Sequence, residues 1–398
     1  MRIALWLGVI GVLSSAAAAE WQPLFGENLD GWTTLGGEWT LEDGVVIGTA
    51  GPGENAFLLY ERPFGDLEFE VEWRTPVPTN GGVQFHSHWL PQLPYEPDGP
   101  RLMYGYQANV ETRQRTASGR LIDENGRGPL AETPREAAMT LKQRDWNTMR
   151  VVAQDGVIEV YLHDVLAHRT EDEAYNHGYI ALQSFAFEHE VPVAVEYRNL
   201  RVRELGAEED WSPLFDGASL NGWKVWGTEE WTVQDGIIEG RSGPDESEGY
   251  LATEATWTDF HVRGEYRMLG DGNYGLFYHS TITPREDGYP VIAGVQGEVA
   301  PGWPSNTGWL YESYQRGWLV EPDMTVIPAF AQRPGEWNRI EVRSVDNHVT
   351  TWVNGIRVVD FDDPDPRLTE GSFALQLHTG GAEGIQWRAL EVKPTDAE

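Results

Sequence analysis

The sequence predicts an all-β protein made of two tandem antiparallel β-sandwiches. Three observations carry that reading: short alternating runs, tight-turn signals between them, and one sequence written twice. Apolar residues fall at every second position in Leu67-Glu-Phe-Glu-Val-Glu-Trp73, Val157-Ile-Glu-Val-Tyr-Leu162, Val191-Pro-Val-Ala-Val-Glu-Tyr197, Phe260-His-Val-Arg-Gly-Glu-Tyr266 and Arg339-Ile-Glu-Val-Arg343. That period describes strands with one face buried. Asp43-Gly44, Asp155-Gly156, Asp235-Gly236 and Asn354-Gly355 supply hairpin turns, because these residues tolerate positive φ. Many short strands with frequent turns point to sandwiches rather than to parallel sheets.

The duplication is direct. Trp21-Gln-Pro-Leu-Phe25 returns as Trp211-Ser-Pro-Leu-Phe215, Glu38-Trp-Thr-Leu-Glu-Asp-Gly44 as Glu230-Trp-Thr-Val-Gln-Asp-Gly236, and Asp145-Trp-Asn147 as Glu336-Trp-Asn338. The spacing, about 190 residues, is a domain length and far exceeds a solenoid or propeller repeat. Positions kept in both copies can therefore be compared within one chain.

Taken in order, residues 1–19 read as a signal peptide. Met1-Arg2 is a positive start, Ile3 to Leu13 an apolar run, and Ala17-Ala-Ala19 a small-residue exit. The run is too short to span a bilayer, and no later stretch is apolar enough. The expectation is a periplasmic or secreted protein without a membrane span. The first sandwich then covers 20–205 and the second 206–398, joined by Glu204-Leu-Gly-Ala-Glu-Glu-Asp210. This acidic joint is short enough that the domains should touch.

The chain has no cysteine, so neither disulfides nor a lipid-bearing cysteine is available. Its formal charge is −34, and every cation is arginine except Lys142, Lys224 and Lys393. A field this negative repels nucleic acid and anionic membranes. Trp39, Trp231, Trp146 and Trp337 recur in both copies and read as core anchors. Trp303, Trp309 and Trp318 cluster in a loop-rich stretch of the second copy only, where an exposed ring would suit the face of a sugar.

The richest block is an ungapped internal match. Gly105-Tyr-Gln-Ala-Asn109 pairs with Gly294-Val-Gln-Gly-Glu298, Gly119-Arg-Leu-Ile-Asp123 with Gly308-Trp-Leu-Tyr-Glu312, and Arg127-Gly-Pro-Leu130 with Arg316-Gly-Trp-Leu319. Gln107 and Asn109 share a strand face, as do Gln296 and Glu298. Amides and acids are wasted in a core, where each polar group needs a partner, and make sense lining a cleft. Asp123 and Glu312 are each followed four residues later by Arg127 and Arg316, which reads either as a catalytic carboxylate held ionised or as an ion pair beside a turn. His86 and His279 recur at one strand position, while His378 exists only in the second copy. Histidine titrates near neutrality and can take a proton or bind a metal. His86 and His88 also have the spacing of two metal ligands on one strand face. There is no Gly-x-Ser-x-Gly elbow, phosphate loop or His-Glu-x-x-His helix, and no paired-acid motif of a two-carboxylate glycosidase.

Each copy resembles the 3-keto-disaccharide hydrolase family. The residues that carry the resemblance are Pro23-Leu-Phe with Leu29-Asp-Gly-Trp32, Pro213-Leu-Phe with Leu220-Asn-Gly-Trp223, Asn80-Gly-Gly-Val-Gln-Phe, the block from Gly105 to Gly128, Tyr197-Arg-Asn-Leu-Arg201, and Gly335-Glu-Trp-Asn with Val353-Asn-Gly355. The resemblance implies a concanavalin A-like jelly roll and glycosides oxidised to a ketone at C3. Such a ketone acidifies the C2 hydrogen, so a base can open an elimination that expels the C1 substituent, and water then adds back. That chemistry needs a base, an enolate stabiliser and a proton donor. The expected base is His86, His279, Asp123 or Glu312, and the expected stabiliser Arg127 or Arg316. Gln107, Asn109, Gln296, Glu298, Trp303, Trp309, Tyr311 and His378 are expected to hold the substrate. A divalent metal on histidine and carboxylate is compatible with this scheme, and a sugar oxidoreductase is the implied partner. A non-catalytic carbohydrate-binding protein and a glycosidase on unoxidised glycan are the alternatives. The sequence departs from the family where Asn109 and Glu298 stand in place of an aspartate, and where Ser313 follows Tyr311-Glu312.

Overall fold

The computed structural model describes residues 20–90, 102–206, 211–380 and 383–395. The expected signal peptide and most of the acidic joint lie outside the described residues. Among the described residues no helix is long and apolar enough to cross a membrane.

Each copy is two antiparallel sheets packed face to face, as the alternation predicts. In the first copy the back sheet runs, side by side, Val165–Glu171, Val157–Leu162, Asn147–Gln154, Leu67–Arg74, Val193–Glu204, Val45–Ala50 and Glu38–Glu42. The front sheet runs Gly128–Ala131, Leu121–Glu124, Leu102–Glu111, Asn80–Leu90, Gly178–Phe185, Asn55–Phe64 and Trp32–Leu35. The second copy repeats both orders strand for strand. Between the sheets the alternating residues meet: Phe69, Val71 and Trp73 from the back, Val83, Phe85, Tyr106 and Ala108 from the front. Phe69 and Phe85 lie 5.8 Å apart, centroid to centroid, in a tilted pair. The phenol of Tyr197, on the back sheet, donates to the Gln183 carbonyl at 2.6 Å and so ties the layers together. The hairpin expectation holds in the backbone: Asp43 and Gly44 have φ of 49° and 78°, and Asp235 and Gly236 of 51° and 78°.

Two tryptophan pairs divide. Trp39 and Trp231 lie over Gly48 and Gly240, whose missing side chains make room for the rings, and pack against the cores. Trp146 and Trp337 are not core anchors. Trp146 is stacked by Arg74 and Arg198, at 4.8 and 4.0 Å from its ring, and Trp337 likewise by Arg267 and Arg388. These are half-buried cation–π stacks.

The two copies touch, as the short joint requires. Arg343 reaches Glu173 across the boundary at 2.7 Å, the Trp352 indole N–H donates to the Glu173 carbonyl at 2.9 Å, and backbone bonds join Asn176 to Gly355 and Arg357 to Ala174. Val353 and Ile356 of the second copy belong to the core of the first.

Candidate functional site: paired clefts on the front sheets

Alternation gives the front sheet two faces. One is the core; the other carries a polar cleft in each copy. In the first copy Asn80, Gln107, Asn109, Ile122, Glu124, Gln183 and Phe185 line it. In the second, the same positions hold Asn273, Gln296, Glu298, Tyr311, Ser313, Gln376 and His378, joined by Glu248, Asn306, Tyr314 and Trp318. The second cleft is the larger, about 390 Å³ against 240 Å³, a size that holds a small ligand.

The clefts share a built ladder. Gly82 lies opposite Asn109 and Gly275 opposite Glu298. A Cβ on Gly82 would stand 2.6 Å from Gln107, and one on Gly275 only 2.1 Å from Gln296. Glycine at this position lets the glutamine lie flat across the neighbouring strand. The Gln107 amide donates to Asn109 Oδ1 at 3.2 Å, and Asn80 donates to the same oxygen. In the second copy the Gln296 amide donates to Glu298 Oε2 at 2.7 Å, and Asn273 donates to Oε1.

The occupants differ in chemistry. Asn109 spends its own amide on the Ala117 carbonyl at 2.8 Å. Among the described residues no cation stands beside Glu298, and burial pushes its carboxyl up to about 7, against a lowering from Asn273. Opposite it, Glu248 accepts from Tyr250, Gln376, Tyr289 at 3.3 Å and Tyr314 at 2.8 Å. The first cleft has Asn55 at the position of Glu248, and its acids are Glu111, paired with Arg113 at 2.6 Å, and Glu124, which accepts from Asn55 and Gln183 at 3.3 Å each. Burial pushes Glu124 up as well. Tyr311 and Trp318 form an edge-to-face pair at 5.1 Å on the rim of the second cleft.

The other residues singled out in the sequence lie away from the clefts. Asp123 and Glu312 have the opposite parity to Glu124 and Ser313 and face inward. Arg127 bonds Asp123 at 2.6 Å and Asp172 at 2.7 Å; Arg316 bonds Glu312 at 2.5 Å and Asp363 at 2.7 Å. Both arginines thus join a front-sheet hairpin to the segment that follows an edge strand of the back sheet. The Arg316 hydrogen bond holds Asp363 below its ordinary value. This is a clasp between sheets, kept in both copies.

His86 and His279 occupy a β-bulge. His86 and Ser87 together face Gly105, and His279 and Ser280 face Gly294. Both histidines are left-handed, with φ of 43° and 45°. Their Nε2 atoms lie 2.7 Å from the Gly65 carbonyl and 2.6 Å from the Thr258 carbonyl, matching positions in the two copies. Burial lowers the basicity of each. His88 points its Nε2 at the His177 carbonyl, 2.8 Å away, and burial pushes it down to about 3. Among the described residues no three His, Asp or Glu side chains stand together as a metal site, so the ligand set that a divalent metal would need is not assembled from them. Trp309 is buried in the core at 3% exposure, and Trp303 donates its ring N–H to the Phe330 carbonyl at 3.2 Å; Trp318 is the member of that cluster that lines the cleft. His378 is exposed on the cleft wall.

Sequence reasoning missed Glu248, Tyr289 and Tyr314. Glu248 precedes a strand that carries no polar alternation, and the tyrosines sit at turns. Gln183 and Gln376 were findable, since Leu182-Gln-Ser and Leu375-Gln-Leu keep the glutamine in both copies.

The profile of the 3-keto-alpha-glucoside-1,2-lyase-like domain matches twice, over residues 20–203 and 210–393. A Bacteroides thetaiotaomicron protein named 3-keto-disaccharide hydrolase is 24% identical over 193 residues, which cover 42% of this chain and 67% of that one. Among solved structures, a candidate glycosyl hydrolase from Parabacteroides distasonis is 20% identical, covering 48% of this chain and 99% of that one at a TM-score of 0.35. The carbohydrate-binding module CBM66 from Bacillus subtilis is 19% identical, covering 44% and 96% at 0.34.

Proposed function

The chain belongs, in both of its halves, to the 3-keto-alpha-glucoside-1,2-lyase-like family, and from that premise we propose that it cleaves 3-keto-glycosides by elimination across C1 and C2, in the second cleft. The observation that carries the choice of cleft is the exchange of Asn109 for Glu298 within an otherwise matched ladder. An amide cannot take a proton from carbon. A buried carboxyl that titrates near 7 is matched to a base working at neutral pH.

The C3 ketone acidifies the C2 hydrogen. Glu298 takes that proton, steered by the Asn273 and Gln296 amides that hold its two oxygens. Asn306 and His378, which line the same cleft, offer donors to the enolate oxygen, and the Tyr311–Trp318 pair takes the apolar face of the sugar. The enolate expels the C1 substituent, and water adds back to the resulting alkene. His86, His279 and the clasps Asp123–Arg127 and Glu312–Arg316 shape the sandwich and stay outside the chemistry. The first cleft, with Asn109 tied to backbone, serves as a carbohydrate-binding copy. A separate sugar oxidoreductase installs the ketone, and the apolar start at residues 1–19 directs the protein to the periplasm or beyond.

The test is proton NMR in heavy water with a 3-keto-glucoside beside its parent glucoside. Release of the aglycone from the keto compound alone, with deuterium entering at C2, is the expected result. Binding without turnover would leave a lectin, and turnover of the parent would make the protein an ordinary glycosidase.

A further inference from the structure

We infer that Tyr314 is the proton donor to the departing glycosidic oxygen, an assignment that rests on the elimination reading above. An elimination needs two proton-handling groups, one at C2 and one at the leaving oxygen, and Glu298 accounts for only the first. Tyr314 lines the same cleft. Its side chain stands largely in solvent at 55% exposure, while its hydroxyl reaches inward to Glu248 at 2.8 Å. A phenol so placed can meet an arriving ligand atom without any rearrangement of the sheet.

Its backbone is the second observation. Tyr314 has φ 57°, and its counterpart in the first copy, Asn125, has φ 52°. Asparagine tolerates the left-handed region well; a tyrosine there is strained, and such strain gathers at functional sites. The third is the company it keeps. Glu248 gathers Tyr250, Tyr289, Tyr314 and Gln376 with no cation among the donors. The first copy has Asn55, Phe57 and Asn125 where the second has Glu248, Tyr250 and Tyr314, so the carboxylate and these two phenols are peculiar to the cleft that carries Glu298, while the glutamine is shared. Burial and the Glu248 carboxylate push the Tyr314 phenol above its ordinary range, so it stays protonated at neutral pH.

The step balances. The C2–H pair becomes the C1=C2 bond as its proton passes to Glu298. The C1–O pair leaves with the oxygen, which takes the Tyr314 proton and departs as an alcohol. When water adds back, its proton goes to the Tyr314 oxygen, its hydroxyl to C1, and the Glu298 proton to C2. Both groups return to their starting states.

The experiment compares methyl and p-nitrophenyl 3-keto-glucosides as substrates of the full-length protein. A poor leaving group needs protonation and a good one does not. Tyr314→Phe should lose about 100-fold or more in kcat on the methyl compound and less than about threefold on the nitrophenyl compound. Tyr314→Asn, the first copy's own solution, should show the same split with a raised Tm. Equal losses on both substrates, or no loss on either, would overturn the assignment while leaving the elimination reading intact. Absence of turnover of both compounds by the unaltered protein would remove that reading and Tyr314 with it.

Discussion

Glu298 and Asn109 occupy one position in two copies of one sheet, and the difference between a carboxyl and an amide there sets what each cleft can do. The buried carboxyl also leaves a thermodynamic trace. Its folded value of about 7 lies above the ordinary 4.5, so the folded state holds the proton more tightly than the unfolded chain. The stabilisation is therefore complete below about pH 4.5 and is lost as pH rises through 7. It amounts to something on the order of 3 kcal/mol. Glu298→Gln keeps the shape and removes the titration. Denaturant unfolding at pH 5 and pH 8 should show the unaltered protein losing stability, relative to Glu298→Gln, between those values. In kinetics, activity on a 3-keto-glucoside should rise with an inflection near pH 7, and Glu298→Gln should fall by at least about 100-fold. A variant within tenfold of the original would exclude Glu298 as the base, whereas Glu124→Gln in the first cleft should leave turnover nearly unchanged.

At the scale of the strand, the ladder depends on a missing side chain. Gly275→Ala places a methyl group 2.1 Å from Gln296 Oε1, and the glutamine must lift away from Glu298. Strand backbone accepts alanine, so the fold should survive with Tm changed by a few degrees, while kcat falls about 100-fold through misplacement of the base. A Gly275→Ala enzyme of full activity would show that the ladder does not position Glu298. The same strand shows where sequence reading ends. Alternation identified Gln107, Asn109, Gln296 and Glu298 as one face, and that face is a cleft. It could not say which parity of the next strand shares the face: Asp123 and Glu312 turn inward, whereas Glu124, which was passed over, and Tyr311, which was singled out, line the clefts. Nor does a period of two show a bulge. His86 and His279 are both left-handed opposite Gly105 and Gly294, each with its ring on a carbonyl, that of Gly65 or Thr258. Recurrence across copies reports a shared need, and the bulge is one need that both copies share. Tyr250 stands two residues from Glu248, but Tyr289 and Tyr314 reach it from separate turns, and nothing local in the sequence brings those two together.

At the scale of the whole molecule, the duplication and the two sandwiches were legible because each follows from local pattern plus repetition, whereas the strand order, set by long-range pairing, was not read from the sequence. The contact between the copies was legible only as a consequence of a short joint; its chemistry was not, because it pairs a loop of the first copy, from Glu173 to His177, with strands and a turn of the second, from Arg343 to Arg357, that carry no distinguishing pattern. Gly355 shows how it works. As the second residue of the Asn354-Gly355 turn it has φ 83°, where the first copy manages with Asp164 at φ 67°. The second copy needs glycine for a different reason: a Cβ would stand 2.2 Å from the His177 carbonyl of the first copy. Close by, the Asn176 N–H donates to the Gly355 carbonyl, and Arg343 pairs with Glu173, both side chains only about a quarter exposed. Gly355→Ala should therefore damage the junction while each sandwich keeps its core. The turn strain alone costs roughly 1–3 kcal/mol, and the clash adds the loss of the backbone bond beside it. Calorimetry should show one cooperative transition in the unaltered protein and two in Gly355→Ala. Small-angle scattering should show a longer particle. Glu173→Ala, which removes the ion pair and leaves the turn intact, should weaken the same contact to a smaller degree. If Gly355→Ala melts as one unit at an unchanged temperature, the two sandwiches are coupled by something other than this turn, and the joint itself becomes the place to look.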